Sequence, residues 1–256
     1  MVKNKKFSIT ESYSDTQLEN AFNQAIQDVN PRLTQKLKVI FKVAKENRSL
    51  FPGISLGSGA NLLDYMKRWV HNYVQATENV PSNRAATPKG SCSDPALRFL
   101  VQGIKGATYD EAVQMESHHN LYMSAENVQG NLLEEYINEN AEPLGWIWCA
   151  GNALQAIDFC NYNGTVLLQI KNKYNSENSS SSKIRDLVGV DIEKWHRLGQ
   201  KTENRVLCPV YRWDILNQII VDGSDKENAI CSMDEDKYNQ FLRSVTDRNR
   251  KLLSDK

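Results

Sequence analysis

Residues 156–173 have the sequence AIDFCNYNGTVLLQIKNK, in which two apolar runs flank Asn163-Gly164. An Asn-Gly pair between such runs favours a two-residue hairpin turn, and this turn would place Asp158 opposite Gln169. Opposed residues of a ladder point to one face of a sheet, and Lys171 joins that face through the strand period of two. The pattern predicts that an acid, an amide and an amine converge on an otherwise apolar hairpin.

The same turn predicts the rest of the hairpin. Tyr162 would pair with Thr165 next to the turn. Alternation along each strand directs Ile157, Leu168 and Ile170 away from the three polar groups and into a core.

Composition indicates a folded intracellular protein. The chain has 256 residues, of which 40% are hydrophobic, enough to bury a core. Its formal net charge is zero, so no global charge indicates a polyanionic partner. The five cysteines are odd in number and widely spaced, which favours reduced thiols in a cytoplasmic protein. We find no apolar run of membrane-spanning length and no signal peptide, and expect no membrane association.

Periodicity predicts a helical first half followed by strands. Expected helices are 16–28, one starting at Pro31, 61–76, one from Pro95, one after Thr108, and 125–138, with a polar loop over 77–95. Expected strands are Trp146–Cys149, the Asp158 strand, the Gln169 strand and Val206–Tyr211. We expect two regions, residues 1–120 and 121–256, which could pack as one compact domain.

The polar residues of the hairpin suit metal-assisted phosphodiester hydrolysis. Carboxylate and amide oxygens are hard ligands that suit Mg²⁺, and a lysine can orient water or neutralise charge on phosphate. One carboxylate is a small donor set, and Glu134 on the preceding helix is the candidate for a second. The helical pattern directs Leu133, Tyr136 and Ile137 to the core and leaves Glu135 in solvent.

The segment after the hairpin has two open interpretations. Residues 174–182 read YNSENSSSS, a composition typical of a flexible linker. A loop at the end of a catalytic strand could instead contact phosphates or base edges through these short polar side chains.

The site residues resemble those of the PD-(D/E)XK nucleases. That family has an acid at the end of one strand, an acid-x-Lys or Gln-x-Lys on the next, and a Glu on a preceding helix, which match Asp158, Gln169 to Lys171, and Glu134. Two positions depart from the usual pattern. Ile157 replaces the proline, and Gln169 replaces an acid and so removes a negative charge.

Longer stretches are similar to type II restriction endonucleases of the SinI/AvaII kind. These are residues 126–136, the sequence GWIWCAG at 145–151, and residues 169–185. The resemblance implies an α/β (mixed α+β) fold with a restriction-endonuclease-like core, in which helices flank a central mixed sheet, and a largely helical N-terminal half. It also implies Mg²⁺-dependent cleavage of double-stranded DNA at a short palindrome, GGWCC or GGNCC. A homodimer is expected because a two-fold site suits a two-fold protein, and a cognate DNA methyltransferase is expected as a functional partner.

The residue patterns and the resemblance together give the candidate site residues. The catalytic candidates are Asp158, Gln169, Lys171 and Glu134, and the metal candidates are Asp158, Glu134 and Gln169. The DNA-binding candidates are Lys173, Asn175, Ser176, Asn178, Ser179, Ser180, Arg185, Arg197 and Arg205. Arginine can bind guanine through two hydrogen bonds, and each arginine could alternatively be a surface residue or an ion-pair partner.

Two other functions stay open on sequence grounds. One is a non-catalytic DNA- or partner-binding module in which Asp158 and Lys171 form a structural ion pair. The other is a repair nuclease of the same superfamily. Residues 1–120 could brace the core, form the dimer, or reach DNA through the polar loop at 77–95.

Overall fold

A computed structural model describes residues 6–9, 12–86, 93–173 and 191–253. The helices are α1 Asp15–Ala25, α2 Pro31–Glu46, α3 Leu62–Glu78, α4 Pro95–Lys105, α5 Tyr109–Ala141, α6 Trp213–Asp222 and α7 Glu235–Arg248. The strands are β1 Lys6–Phe7, β2 Ile54–Ser55, β3 Ile147–Trp148, β4 Phe159–Cys160, β5 Leu167–Lys173, β6 Ile192–Glu203 and β7 Val206–Tyr211.

A five-stranded mixed sheet organises the second half of the chain. Its strand order is β3-β4-β5-β6-β7; β5 and β6 are parallel and the other neighbours are antiparallel. Parallel neighbours need a crossover connection, and most of that connection, residues 174–190, lies outside the described residues. Helices flank this sheet, which confirms the expected fold class.

Apolar side chains cover both faces of the sheet. One cluster joins α1, α2 and α3 to Cys160 and Leu167. The other joins α5, α6 and α7 to Phe159, Leu168 and Ile170. Sequence neighbours on β4 and β5 therefore belong to opposite clusters, as strand alternation requires. The N-terminal helices pack directly on the sheet.

Side-chain caps explain where several helices begin. Ser14 and Gln17 form a capping box at α1, Asn61 and Asp64 form one at α3, and Thr108 begins α5 in the same way. Such caps satisfy the free N–H groups of the first turn. The helices expected near these positions are confirmed, but α5 is one continuous helix where two were expected. It runs through residue 120, so a domain boundary there would cut a helix.

The expected register of the hairpin is confirmed, but the predicted two-residue turn is wrong. Phe159 pairs with Leu168 and Cys160 with Leu167, the register that places Asp158 opposite Gln169. The turn is wider, because Gly164 N–H donates to Asn161 O at 3.0 Å. Asn161 Oδ1 also accepts from the N–H groups of residues 165 and 166. The predicted two-residue turn and the observed wider loop have the same centre, between Asn163 and Gly164, so the register is the same.

Two further expectations need correction. Ile157 is buried with the first cluster, and not with Leu168 and Ile170, because the chain turns at Ala156 (φ 63°) and Ile157 lies outside the β4 ladder. Strand β6 was not expected from the sequence. It carries many charged residues, and its burial depends on packing at Trp195 and Arg197.

Within the described part of the chain, no helix is long and apolar enough to cross a membrane. The four cysteines there, Cys149, Cys160, Cys208 and Cys231, are free thiols. Cys92 lies outside the described residues.

Candidate active site

Asp158 lies immediately before β4, where the ladder between β4 and β5 ends. Its N–H donates to Leu168 O at 3.0 Å, and its carbonyl accepts from Cys149 N–H at 2.8 Å. Two residues further along β5, Ile170 N–H donates to Asp158 Oδ2 at 2.6 Å. The carboxylate therefore replaces the next main-chain acceptor of β4, and the ladder holds it at the edge of the break.

Helix α5 brings Glu134 to the same place. Leu133, Tyr136 and Ile137 are buried on the helix as expected, which directs the helix flank that carries Glu134 toward β3 and β4. Trp148 Nε1, on β3, donates to Glu134 Oε2 at 3.0 Å. The acid on the helix is thus positioned by the strand next to β4.

Burial raises the pKa of both carboxyl groups, and repulsion from Asp158 adds to the shift of Glu134. Burial raises the pKa of Glu134, and the charge of Asp158 raises it further, whereas Trp148 and Lys171 act in the opposite direction. Burial also raises the pKa of Asp158, although Ile170 N–H and Lys171 oppose that shift. The three charged groups therefore lie close enough to share one electrostatic environment, as the sequence predicts for Asp158, Lys171 and Glu134.

A polar pocket opens beside the two acids. Its volume is about 320 Å³. The pocket is lined by Ala76, Pro81, Arg84, Asn131, Glu134, Trp148, Cys149, Gly151, Asn152, Ile157 and Asp158. It therefore joins the end of α3, the C-terminal third of α5 and the break at β4.

Gln169 is the least accessible of the predicted site residues that the structure describes. It faces Lys194 across the parallel ladder and is only 1% exposed. Its metal role stays a prediction. Among the described residues, no group of three or more His, Cys, Asp and Glu side chains could hold a metal ion. Glu134 and Asp158 are the acids in the lining of the pocket.

Of the predicted DNA-binding residues, Lys173 and Arg205 are exposed, Arg197 is buried, and the others are not described by the structure. Lys173 ends β5, is half exposed, and pairs with Glu126 at 2.8 Å. Arg205 is exposed in the β6–β7 turn, where its φ is 65°. The remaining candidates except Arg197 lie outside the described residues, namely Asn175, Ser176, Asn178, Ser179, Ser180 and Arg185.

Arg197 occupies an interior position. It is 5% exposed, pairs with Glu235 at 2.5 Å, and donates from Nε to Asn172 Oδ1 at 2.8 Å. Its guanidinium also lies over the rings of Tyr211 and Tyr238. In this structure Arg197 is the ion-pair partner that its alternative interpretation describes.

The expectation of a solvated Glu135 is wrong. Glu135 is 4% exposed and accepts hydrogen bonds from Ser82 N–H at 2.7 Å and from Ser82 Oγ. The helical pattern gave no signal for this, because the partner lies in the polar loop 53 residues earlier. Arg84, in the same loop, was also missed as a pocket residue; a single arginine in a polar loop has no distinguishing pattern.

Comparison with known proteins identifies the family. The family model described as SinI restriction endonuclease matches residues 69–230, which is more than half of the chain and includes Glu134, Asp158 and Lys171. The chain belongs to the SinI restriction endonuclease family. As a member it is a type II restriction endonuclease, an enzyme that cleaves DNA at specific sites.

Two curated relatives agree with this assignment. The type II restriction enzyme Eco47I of Escherichia coli is 34% identical over 190 residues, covering 70% of this chain and 78% of the relative. The type II restriction enzyme SinI of Salmonella infantis is 31% identical over 186 residues, with the same two coverages. The resemblance expected over roughly residues 120–215 therefore extends over most of the chain.

Proposed function

We propose that this restriction endonuclease hydrolyses double-stranded DNA with Mg²⁺ at a short palindrome, GGWCC or GGNCC. The observation that carries the chemistry is that Glu134 and Asp158 line one pocket and that the charge of Lys171 acts on both of them. The recognition sequence rests on the resemblance to SinI-like enzymes alone.

The donor set fits a divalent cation. Burial and the charge of Asp158 both raise the pKa of Glu134, so the two carboxylates are costly as a bare pair, and a divalent ion between them would offset that cost. Mg²⁺ commonly takes one or two carboxylates and completes its shell with water and substrate phosphate. Glu134 and Asp158 Oδ1 would hold the ion, since Oδ2 accepts from Ile170 N–H.

The chain's own residues would then divide the work. A bound Mg²⁺ supplies positive charge at the phosphate oxygens. The ammonium of Lys171 orients the attacking water and neutralises charge that develops on the phosphate. Gln169 carries no charge, so we propose that it is at most an auxiliary oxygen ligand and that Glu134 supplies the missing negative charge.

We propose DNA contacts on the strand ends beyond Lys171. Lys173 is exposed two residues further along β5, and the segment with Asn175, Ser176, Asn178, Ser179, Ser180 and Arg185 follows it in sequence. Arg205 would reach DNA from the β6–β7 turn. Such phosphate and base contacts make affinity fall steeply as salt rises.

A homodimer is part of the proposal. Of the 15 exposed large apolar residues in the described chain, nine lie on α4 and the first half of α5. Helix α4 is apolar along one side but has no buried residue. Clustered apolar surface of this kind marks interaction sites on soluble proteins, and a second copy would cover it through a two-fold contact.

We also propose a cytoplasmic setting and a companion DNA methyltransferase. An enzyme that cuts a short palindrome would cut the DNA of its own cell unless those sites were modified. The methyltransferase is a functional partner in this proposal and not a bound subunit.

Digestion of plasmid DNA of known sequence, with mapped ends, tests the proposal. The parent should give discrete fragments with Mg²⁺, whereas Asp158→Ala and Lys171→Ala should give none. Asp222→Ala and Lys226→Ala are matched controls on exposed residues and should cut like the parent. Site variants that cut at the parental rate would refute the metal site. Binding without cleavage would indicate a non-catalytic module, and cleavage at junctions or mismatches a repair nuclease.

A further inference from the structure

Arg84 is a cation on the wall of the pocket that contains the two catalytic acids. It follows α3, and its Nε donates to Asn79 O at 2.6 Å while Nη2 donates to Ala76 O at 3.2 Å. These carbonyls belong to the C-terminal end of the helix, where the helix dipole favours a positive charge. The two bonds use two of the five N–H donors of the guanidinium.

The loop that carries Arg84 is fixed to the helix that carries Glu134. Ser82 donates through its N–H and Oγ to Glu135, the residue next to Glu134. Asn249 Nδ2 donates to both Ser82 O and Arg84 O at 2.9 Å. Arg84 and Glu134 are therefore positioned by one set of connected contacts, and little rearrangement is needed to present both to a ligand.

The position of Arg84 leaves space for an anion. Among the described residues Arg84 forms no ion pair within 4.0 Å, with either pocket acid or elsewhere. A pocket with acids on one side and a guanidinium on another suits a phosphodiester held between a cation bound by the acids and the arginine fork. The planar fork matches the geometry of phosphate oxygens.

We propose that Arg84 is a catalytic residue that binds a non-bridging oxygen of the phosphate that is cut. This inference rests on the proposed function, because it requires DNA cleavage at the Glu134 and Asp158 pocket. Arg84 would stabilise the charge that develops on the phosphate, in the way that preorganised donors do in other transfers to and from oxygen.

The first test separates this role from simple helix capping. Arg84→Ala should lower the single-turnover cleavage rate at saturating DNA by about 10²- to 10³-fold, and Arg84→Lys should recover part of the loss because the charge remains. Arg248→Ala is the matched control, since Arg248 Nε also donates to a helix carbonyl, Ser244 O. Arg248→Ala should cut like the parent. A rate for folded Arg84→Ala within threefold of the parent would overturn the proposal.

The second test does not depend on cleavage. DNA duplexes with one neutral methylphosphonate at each phosphate of the site in turn are bound in Ca²⁺ by the parent and by Arg84→Ala. At one phosphate, the methylphosphonate should weaken DNA binding by the parent. The same substitution should not weaken binding by Arg84→Ala any further, because that variant already lacks the contact. If the methylphosphonate and the Arg84→Ala substitution weaken binding additively at every phosphate, the Arg84 assignment is overturned. A parent that shows this coupling without cutting in Mg²⁺ would instead refute the proposed hydrolysis.

Discussion

Alanine substitutions at the two adjacent glutamates of α5 should have opposite effects on cleavage and on stability. Glu134 faces the pocket, where burial and Asp158 raise its pKa. Glu135 is buried and accepts two hydrogen bonds from Ser82. We therefore expect Glu134→Ala to abolish cleavage with little loss of stability, and Glu135→Ala to lower stability while folded molecules still cut.

The structure gives the size of the difference. A hydrogen bond to a charged group contributes about 1.5–3 kcal/mol, and Glu135→Ala removes two and leaves the donors of Ser82 buried. We expect a loss of about 3–5 kcal/mol in the free energy of unfolding, a large part of the ~5–15 kcal/mol of an ordinary domain. In a chain of this size the melting temperature should fall by roughly 10 °C. Glu134→Ala should change the free energy by about 1 kcal/mol or less, because burial and the charge of Asp158 already disfavour the ionised form of this carboxyl.

The assay measures urea unfolding, and it measures DNA cleavage at a temperature well below the melting temperature of each protein. Parent, Glu134→Ala and Glu135→Ala are compared in the same buffer without metal, and cleavage is then started with Mg²⁺. Equal destabilisation by the two variants would refute the assignment of separate roles. So would a Glu135→Ala protein as stable as the parent, or a Glu134→Ala protein that cuts.

Three other outcomes follow from the structure. Gly223→Ala should cost about 1–3 kcal/mol of unfolding free energy, because the new Cβ would lie 2.4 Å from Cζ2 of the buried Trp146; an unchanged urea midpoint would contradict this. Since the pKa of Glu134 is raised, its contribution to stability is complete below its ordinary pKa and is lost as pH rises through the raised one. Metal-free Glu134→Gln should therefore gain stability over the parent as pH rises, with Mg²⁺ closing the gap, and a pH-independent difference would exclude this. Leu100→Asp on α4 should turn a dimer into a folded monomer by light scattering, whereas Ile230→Asp should not; a monomeric parent would rule out the proposed dimer.

The sequence predicted the part of the site that depends on local geometry. The register of β4 against β5 follows from the position of the loop centre, and it survives the change of turn because a symmetrical widening leaves the pairing intact. Glu134 could be found because apolar periodicity fixed which side of α5 is buried. Asp158 and Lys171 could be found from their placement on the hairpin.

What the sequence missed depends on distant contacts. Glu135 looks like a solvent residue until Ser82 is brought to it, and Arg84 becomes a pocket residue only when its loop is tied to α5. Strand β6 has charged residues at positions that packing later buries, as at Arg197 beside Glu235. Partners of this kind come from other elements, and no periodicity within one segment encodes them.

The carboxylate of Asp158 takes the place of a main-chain acceptor of β4, and this makes the amide of Ile170 a reporter of the site. Ile170 N–H donates to a side chain whose charge changes with proton or cation binding, and not to a main-chain carbonyl. Its amide resonance should therefore move when an ion enters the pocket, while the neighbouring amides of β5 that face β6 keep constant ladder partners. One backbone nucleus in the middle of the sheet would thus report whether an ion occupies the proposed catalytic centre in solution, without DNA and without a turnover.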